Sequence, residues 1–82
     1  MFYIYILQSK ADGRLYTGYT SNLRRRLNEH ESGNVESTRN RRPLLLIYYE
    51  AYKEKSNALN REKFLKTTRG KQQLRKQLVG MV

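Results

Sequence analysis

Two short runs, Phe2–Leu7 (FYIYIL) and Arg14–Thr20 (RLYTGYT), flank an Asp12-Gly13 pair near the start of the chain. Aromatic and β-branched residues fit a pleated surface. Asp-Gly closes tight turns between strands. The chain is therefore committed to a β-hairpin before any other element forms. A two-residue Asp12-Gly13 loop pairs Ala11 with Arg14. Parity then puts Tyr3, Tyr5 and Leu7 on one face with Tyr16, Gly18 and Thr20. Phe2, Ile4 and Ile6 share the other face with Leu15, Thr17 and Tyr19. A loop of three or five residues would exchange these partners.

The hairpin feeds a helix from about Asn22 to Glu31, with Thr20 or Ser21 as its cap. Leu23 and Leu27 form its apolar row, and Ser32-Gly33-Asn34 ends it. The segment NVESTRNRRP is polar, basic and closed by proline, which predicts a loop. LLLIYYE, from Leu44, is a continuous apolar run of strand length, expected to be central or well covered. A second helix is expected from near Ser56 or Asn57 to about Thr67. Thr68-Arg69-Gly70 interrupts it, and KQQLRKQLV forms a third. The order ββαβαα describes an α+β domain: a small three-stranded, mostly antiparallel sheet flanked by helices. With 82 residues, no repeat and no long linker, residues 1–82 are expected to form one domain.

Charge narrows the function. Seventeen Lys and Arg against seven Asp and Glu give a formal net charge of +10, which attracts polyanions, nucleic acid above all. The absence of cysteine removes disulfides and thiolate metal sites, and a single histidine argues against a zinc cluster. No apolar run approaches the ~20 residues of a membrane span. No basic segment carries the broad apolar face of a membrane-surface helix. The N-terminus lacks a basic start and a small-residue cleavage site. The expectation is a cytoplasmic, nucleic-acid-binding protein.

Several residues do not suit a plain scaffold. Glu62 lies four after Ala58 and three before Leu65, inside the stripe expected from Ala58, Leu59 and Leu65. A carboxylate there is either paired with a cation or faces a cleft and holds a ligand. Asn22, Arg26 and His30 form an i, i+4, i+8 row bordering Leu23 and Leu27. Arg26 could set a guanidinium fork on one phosphate, and His30 titrates near neutral pH. Arg24 and Arg25 point outward and suit phosphate contacts that carry no sequence information. Arg39, Arg41 and Arg42 in the basic loop, and Lys66 after Glu62, are further nucleic-acid candidates. Seven tyrosines without tryptophan is an uneven aromatic choice. Tyr3, Tyr5 and Tyr16 either pack the sheet or supply a phenol to a cationic pocket. Gly18 would let a phosphate or another backbone approach the sheet.

Tyr3-Ile4-Tyr5, Tyr16-Thr17-Gly18, Arg26, His30 and Glu62, in this order and spacing, resemble the GIY-YIG nuclease superfamily, and within it the small stand-alone UPF0213-type proteins. The similarity extends to the RRP before strand three and to ALNREKFLK around Glu62. It implies a metal-dependent endonuclease that hydrolyses DNA phosphodiesters, usually with Mg²⁺ (or Mn²⁺); the leading expectation is an enzyme of repair or recombination acting on branched or single-stranded DNA. By the same resemblance Tyr5 and Tyr16 are the two motif tyrosines, either of which could take a proton from the attacking water. Arg26 is the ligand of the scissile phosphate, His30 a proton relay, and Glu62 the metal ligand. Tyr3 and Thr17 depart from the Gly and Ile of the motif name. No asparagine follows Glu62, so Lys66, Gln72, Gln73 or Gln77 would have to replace the one many family nucleases carry. Two other readings compete. One is a nucleic-acid-binding module with the same fold and little or no catalysis. The other is a protein-interaction domain using LLLIYY, which ranks last because that run is expected to be core.

Overall fold

Strand β1 (Phe2–Ser9) lies between β2 (Leu15–Thr20) and β3 (Leu44–Tyr52), and both neighbours pair with it antiparallel. These elements come from a computed structural model that describes residues 1–79. The central place goes to FYIYIL because Ile4, Tyr5, Ile6 and Leu7 are buried in succession, which requires cover on both faces. LLLIYYE takes an edge. It is half-exposed, with Leu45 and Tyr49 largely open to solvent. The expectation of a central, well-covered strand is thus corrected: the run is apolar because it packs along one flank, and its outer hydrogen-bonding edge is free. With it falls the reason for placing LLLIYY in the core.

The hairpin turns differently from the two-residue expectation. Ser9 N donates to Arg14 O at 2.9 Å, and Gly13 N returns to Ser9 O at 2.8 Å. This encloses a four-residue loop, Lys10–Gly13. The buried Ser9 hydroxyl organises it by accepting from Ala11 N and Asp12 N. The register slips by two residues, so parity survives. Tyr3 faces Thr20, Tyr5 faces Gly18 and Leu7 faces Tyr16.

Helix α1 (Leu23–Glu31) covers the tyrosine face of the sheet, and α2 (Lys55–Leu65) and α3 (Thr68–Gln77) cover the other. Ile4, Ile6, Ala58, Leu65, Leu74 and Leu78 form the core on that second side. Asn22 rather than Thr20 or Ser21 caps α1, its Oδ1 accepting from Arg25 N. Leu23 and Leu27 are only half-buried, and the residue that α1 buries is His30. Thr68-Arg69-Gly70 does not interrupt a helix. It forms the first turn of α3, capped by Thr67, whose Oγ1 accepts from Gly70 N. A Cβ on Gly70 would fall 1.9 Å from the Phe64 carbonyl oxygen, so only glycine lets α3 turn this tightly against α2.

The inward face of α2 is unusual. Leu59 is exposed, while Ala58 and Leu65 are buried and Arg61, Glu62 and Phe64 are half-buried. Two charges therefore sit where apolar residues normally would. Arg61 closes on Glu50 of β3 through two hydrogen bonds of 3.0 and 3.1 Å, and Tyr48 and Tyr52 donate to the same carboxylate at 2.5 Å. Burial pushes Glu50 upward, but the bonds from Arg61 and the two tyrosines outweigh it and keep the group ionised. Burial beside that carboxylate pushes Tyr52 up to about 12. This clamp fixes α2 against β3 and so sets where the neighbouring Glu62 stands.

Candidate active site

Tyr5 is the centre of the site. It is fully buried on β1, and its Oη lies 2.7 Å from His30 Nε2 and 3.4 Å from Arg26 Nε. His30 Nδ1 lies 2.7 Å from the buried Thr38 Oγ1. Arginine can only donate, so the Tyr5 oxygen accepts from Arg26. Each ring nitrogen of His30 has one hydroxyl partner, and the histidine tautomer sets which of the two hydroxyls donates. The result is one connected chain: Arg26, Tyr5, His30, Thr38.

The protonation states agree with it. Burial, more than any other cause, pushes Tyr5 up to about 12, against the hydrogen bond from Arg26. Burial, followed by the charge of Arg26, holds His30 below the usual histidine range. Arg26 is held firmly protonated by its bonds to Tyr5 and Glu29. The Glu29 carboxylate lies 3.0 Å from Arg26 Nη1 in a half-exposed pair.

Tyr16 completes the aromatic wall. Its ring is 6.3 Å from that of Tyr5 and 5.2 Å from that of His30, the latter edge-on. Unlike Tyr5 it is only half-buried. Tyr3 lies farther along β1, against Tyr49 at 6.2 Å, and does not join them. Gly18 has a different part from the one its sequence suggests. A Cβ there would fall 2.3 Å from both Oη and Cζ of Tyr5. The room left by the absent side chain is filled by the phenol, not held open for a phosphate.

Glu62 enters from the opposite helical layer. Its charge reaches Tyr5, adding to the upward push on the phenol. Its Oε2 lies 3.1 Å from Lys66 Nζ, with 22% of the Glu62 side chain exposed. Of the two sequence alternatives for this residue, the pairing with a cation is the one seen. Among the described residues no three of His, Cys, Asp and Glu gather around a common point. A single hard carboxylate suits Mg²⁺, which keeps several waters and draws on substrate phosphate, and does not suit zinc.

The remaining basic candidates divide. Arg24 and Arg25 are exposed on α1. Arg39 and Arg42 are exposed but tied to the loop, Arg39 Nε donating to Gly33 O and Arg42 to Arg39 O and Glu31 O. Arg41 is drawn toward Asp12 at 3.6 Å. Of the candidates to replace an asparagine, Lys66 holds Glu62, Gln77 donates to Tyr48 Oη, and Gln72 and Gln73 are exposed on α3. Sequence reasoning missed Thr38 altogether. A threonine in a ten-residue polar loop carries no signal of burial. It also missed Glu29, whose i, i+3 spacing from Arg26 could have revealed it.

The neutral His30 has a measurable consequence. An unfolded histidine takes up a proton near pH 6.5. Below that value the unfolded chain binds a proton that the folded protein resists. The stability conferred by neutral His30 is therefore complete above about pH 6.5 and declines as pH falls toward the lowered folded value. Urea midpoints taken from about pH 7.5 down to about pH 5 should fall for the wild type. They should fall less for His30→Gln, and equal falls in the two proteins would remove His30 as the cause.

Comparisons with known proteins show the family. The family model described as the GIY-YIG catalytic domain matches residues 1–76. A UPF0213 protein of Staphylococcus haemolyticus is 42% identical over 74 residues, covering 89% of each chain. A UPF0213 protein of Clostridium perfringens is 41% identical over 75 residues, covering 90% of this chain and 80% of its own. The solution NMR structure of a UPF0213 protein from Bacillus halodurans superposes with a TM-score of 0.57 at 41% identity, over 90% of this chain and 82% of its own.

Proposed function

The chain belongs to the GIY-YIG catalytic-domain family, and from that premise we propose that it is a metal-dependent endonuclease acting on DNA. The observation that carries the reading is the joining of Tyr5, His30 and Arg26 in one hydrogen-bonded cluster, with Tyr16 beside it and Glu62 within electrostatic reach. A plain scaffold has no use for a fully protonated arginine held beside two phenols and a neutral imidazole. The proposal includes Mg²⁺ or Mn²⁺ as cofactor, a role in repair or recombination, a cytoplasmic location and a single domain over residues 1–82.

In this reading Arg26 clamps the scissile phosphate, exchanging its bond to Glu29 for bonds to nonbridging oxygens, and matches the charge that develops there. Tyr5 is enclosed and holds its proton up to about pH 12, so it orients Arg26 and His30 rather than meeting the attacking water. Tyr16 is the more accessible phenol and is assigned the proton of that water. His30, aligned by Thr38, keeps the cluster in register. Glu62 would hold the metal, which supplies charge stabilisation to the leaving and nonbridging oxygens. Arg24, Arg25, Arg39, Arg41, Arg42 and Lys66 are proposed as contacts to the flanking backbone. Gly18 serves the site by seating Tyr5.

The direct test is incubation of the purified protein with branched, nicked and single-stranded DNA in Mg²⁺ or Mn²⁺. Cleavage is expected. Salt-sensitive binding without cleavage under any condition would leave a nucleic-acid-binding module instead. Within the same assay, Arg26→Ala should lower kcat by about 10²- to 10³-fold, the loss typical of a preorganised donor. Arg24→Ala should change kcat by less than about threefold and act on affinity. Equal losses would reduce Arg26 to one member of a general basic face.

A further inference from the structure

Strand β2 is the open edge of the sheet on the side of the site. Alternation along it sends the Tyr16 side chain to the catalytic face and those of Leu15 and Thr17 to the opposite face. On that opposite face, between the hairpin loop and α3, lies a cleft of about 510 Å³. Arg14, Lys71 and Arg75 line it, together with the amide of Gln8 and the hydroxyl of Thr17. None of the three cations forms an ion pair among the described residues. The one acid on the wall, Asp12, is occupied by Arg14 N at 2.9 Å and by Arg41 at 3.6 Å. Helix α3 carries four cations, Arg69, Lys71, Arg75 and Lys76, all exposed, and no acid. A fold that pairs Arg26, Arg61, Lys66 and Arg41 with acids leaves this group unneutralised.

The geometry points to a second contact for the nucleic-acid backbone: a phosphate-binding cleft formed by Arg14, Lys71 and Arg75, reached over the β2 edge from Arg26. The catalytic cluster and the cleft lie on the two sides of β2. Phosphodiester is the ligand class that fits. Three cations with an amide and a hydroxyl satisfy phosphate oxygens and offer no platform to a base. The inference rests on the reading of the chain as a nucleic-acid enzyme and extends it. The substrate is held on both sides of β2.

The test is binding of a labelled single-stranded oligonucleotide of about 30 nucleotides in EDTA, titrated with salt, where each lost phosphate contact lowers the slope of log K against log salt by about 0.7. Arg14→Gln, Lys71→Gln and Arg75→Gln combined should make the slope shallower by about 2 and weaken binding at least about tenfold at low salt. Lys71→Arg with Arg75→Lys keeps the charge and should retain both values, which separates lost contacts from lost folding. A slope and affinity equal to wild type in the triple variant would overturn the cleft, even with cleavage normal. Wild-type protein that binds but never cleaves would overturn the nuclease reading and leave the cleft supported if the slope still falls. Wild-type protein with no salt-dependent binding would overturn both.

Discussion

Glu62→Gln should abolish cleavage, lowering kcat by about 10³-fold or more, the scale on which removing focused charge stabilisation acts. The substitution keeps shape and hydrogen-bonding capacity and removes the charge. Stability should change little, because the Glu62–Lys66 pair is half-exposed and such pairs contribute about 0–1 kcal/mol. DNA affinity should hold or rise, since one negative charge leaves a cationic surface and Lys66 is released. The pattern of lost turnover with intact binding is what identifies a metal ligand. Cleavage of labelled DNA over a range of Mg²⁺ concentrations, beside binding in EDTA, measures both. Full activity in the variant would remove Glu62 from the reaction.

Gly18→Ala should damage the site nearly as severely without touching a polar group. The new Cβ would stand 2.3 Å from Tyr5 Oη, far inside any real contact. Tyr5 must swing away, because the atoms it meets belong to the rigid end of a ring on the central strand. Overpacking of this kind costs about 1–3 kcal/mol. The displacement also breaks the 2.7 Å bond to His30 and the bond to Arg26. A misplacement of about 1 Å can reduce turnover 10²-fold, so kcat should fall at least that far. Because the chain has one histidine, its ring-nitrogen NMR signals report the loss of the Tyr5 bond directly. Gly13→Ala is the control. It suffers from its positive φ of 74° but meets no atom within 4 Å, so it should lose stability and keep kcat. A Gly18→Ala protein with wild-type kcat and an unchanged histidine signal would sink this account of the glycine.

Much of the site was legible because its residues break local rules. A carboxylate inside a helical stripe, a histidine in the row beside the leucines and tyrosines alternating on a hairpin each conflict with a plain scaffold. The hairpin faces came out right although the loop did not. The error was two residues, and side-chain parity repeats every two. The signal for the longer loop lay in Ser9, whose hydroxyl competes for the next two amides. Strand β3 was misplaced because an apolar run cannot say whether both of its hydrogen-bonding edges are used. The start of α3 was missed because Gly70 looks like a break. The tight backbone crossing that demands it exists only in three dimensions. Thr38 and the Glu50–Arg61 clamp depend on partners 8 and 11 residues away across different elements, which spacing alone does not reveal.

The burial of His30 as the only fully enclosed residue of α1 has a mechanical meaning. Tyr5 belongs to a strand bonded on both sides, the last part of the fold to open. Arg26 belongs to a helix whose leucines are half in water. The site therefore joins a strand held along both edges to a helix that buries a single residue.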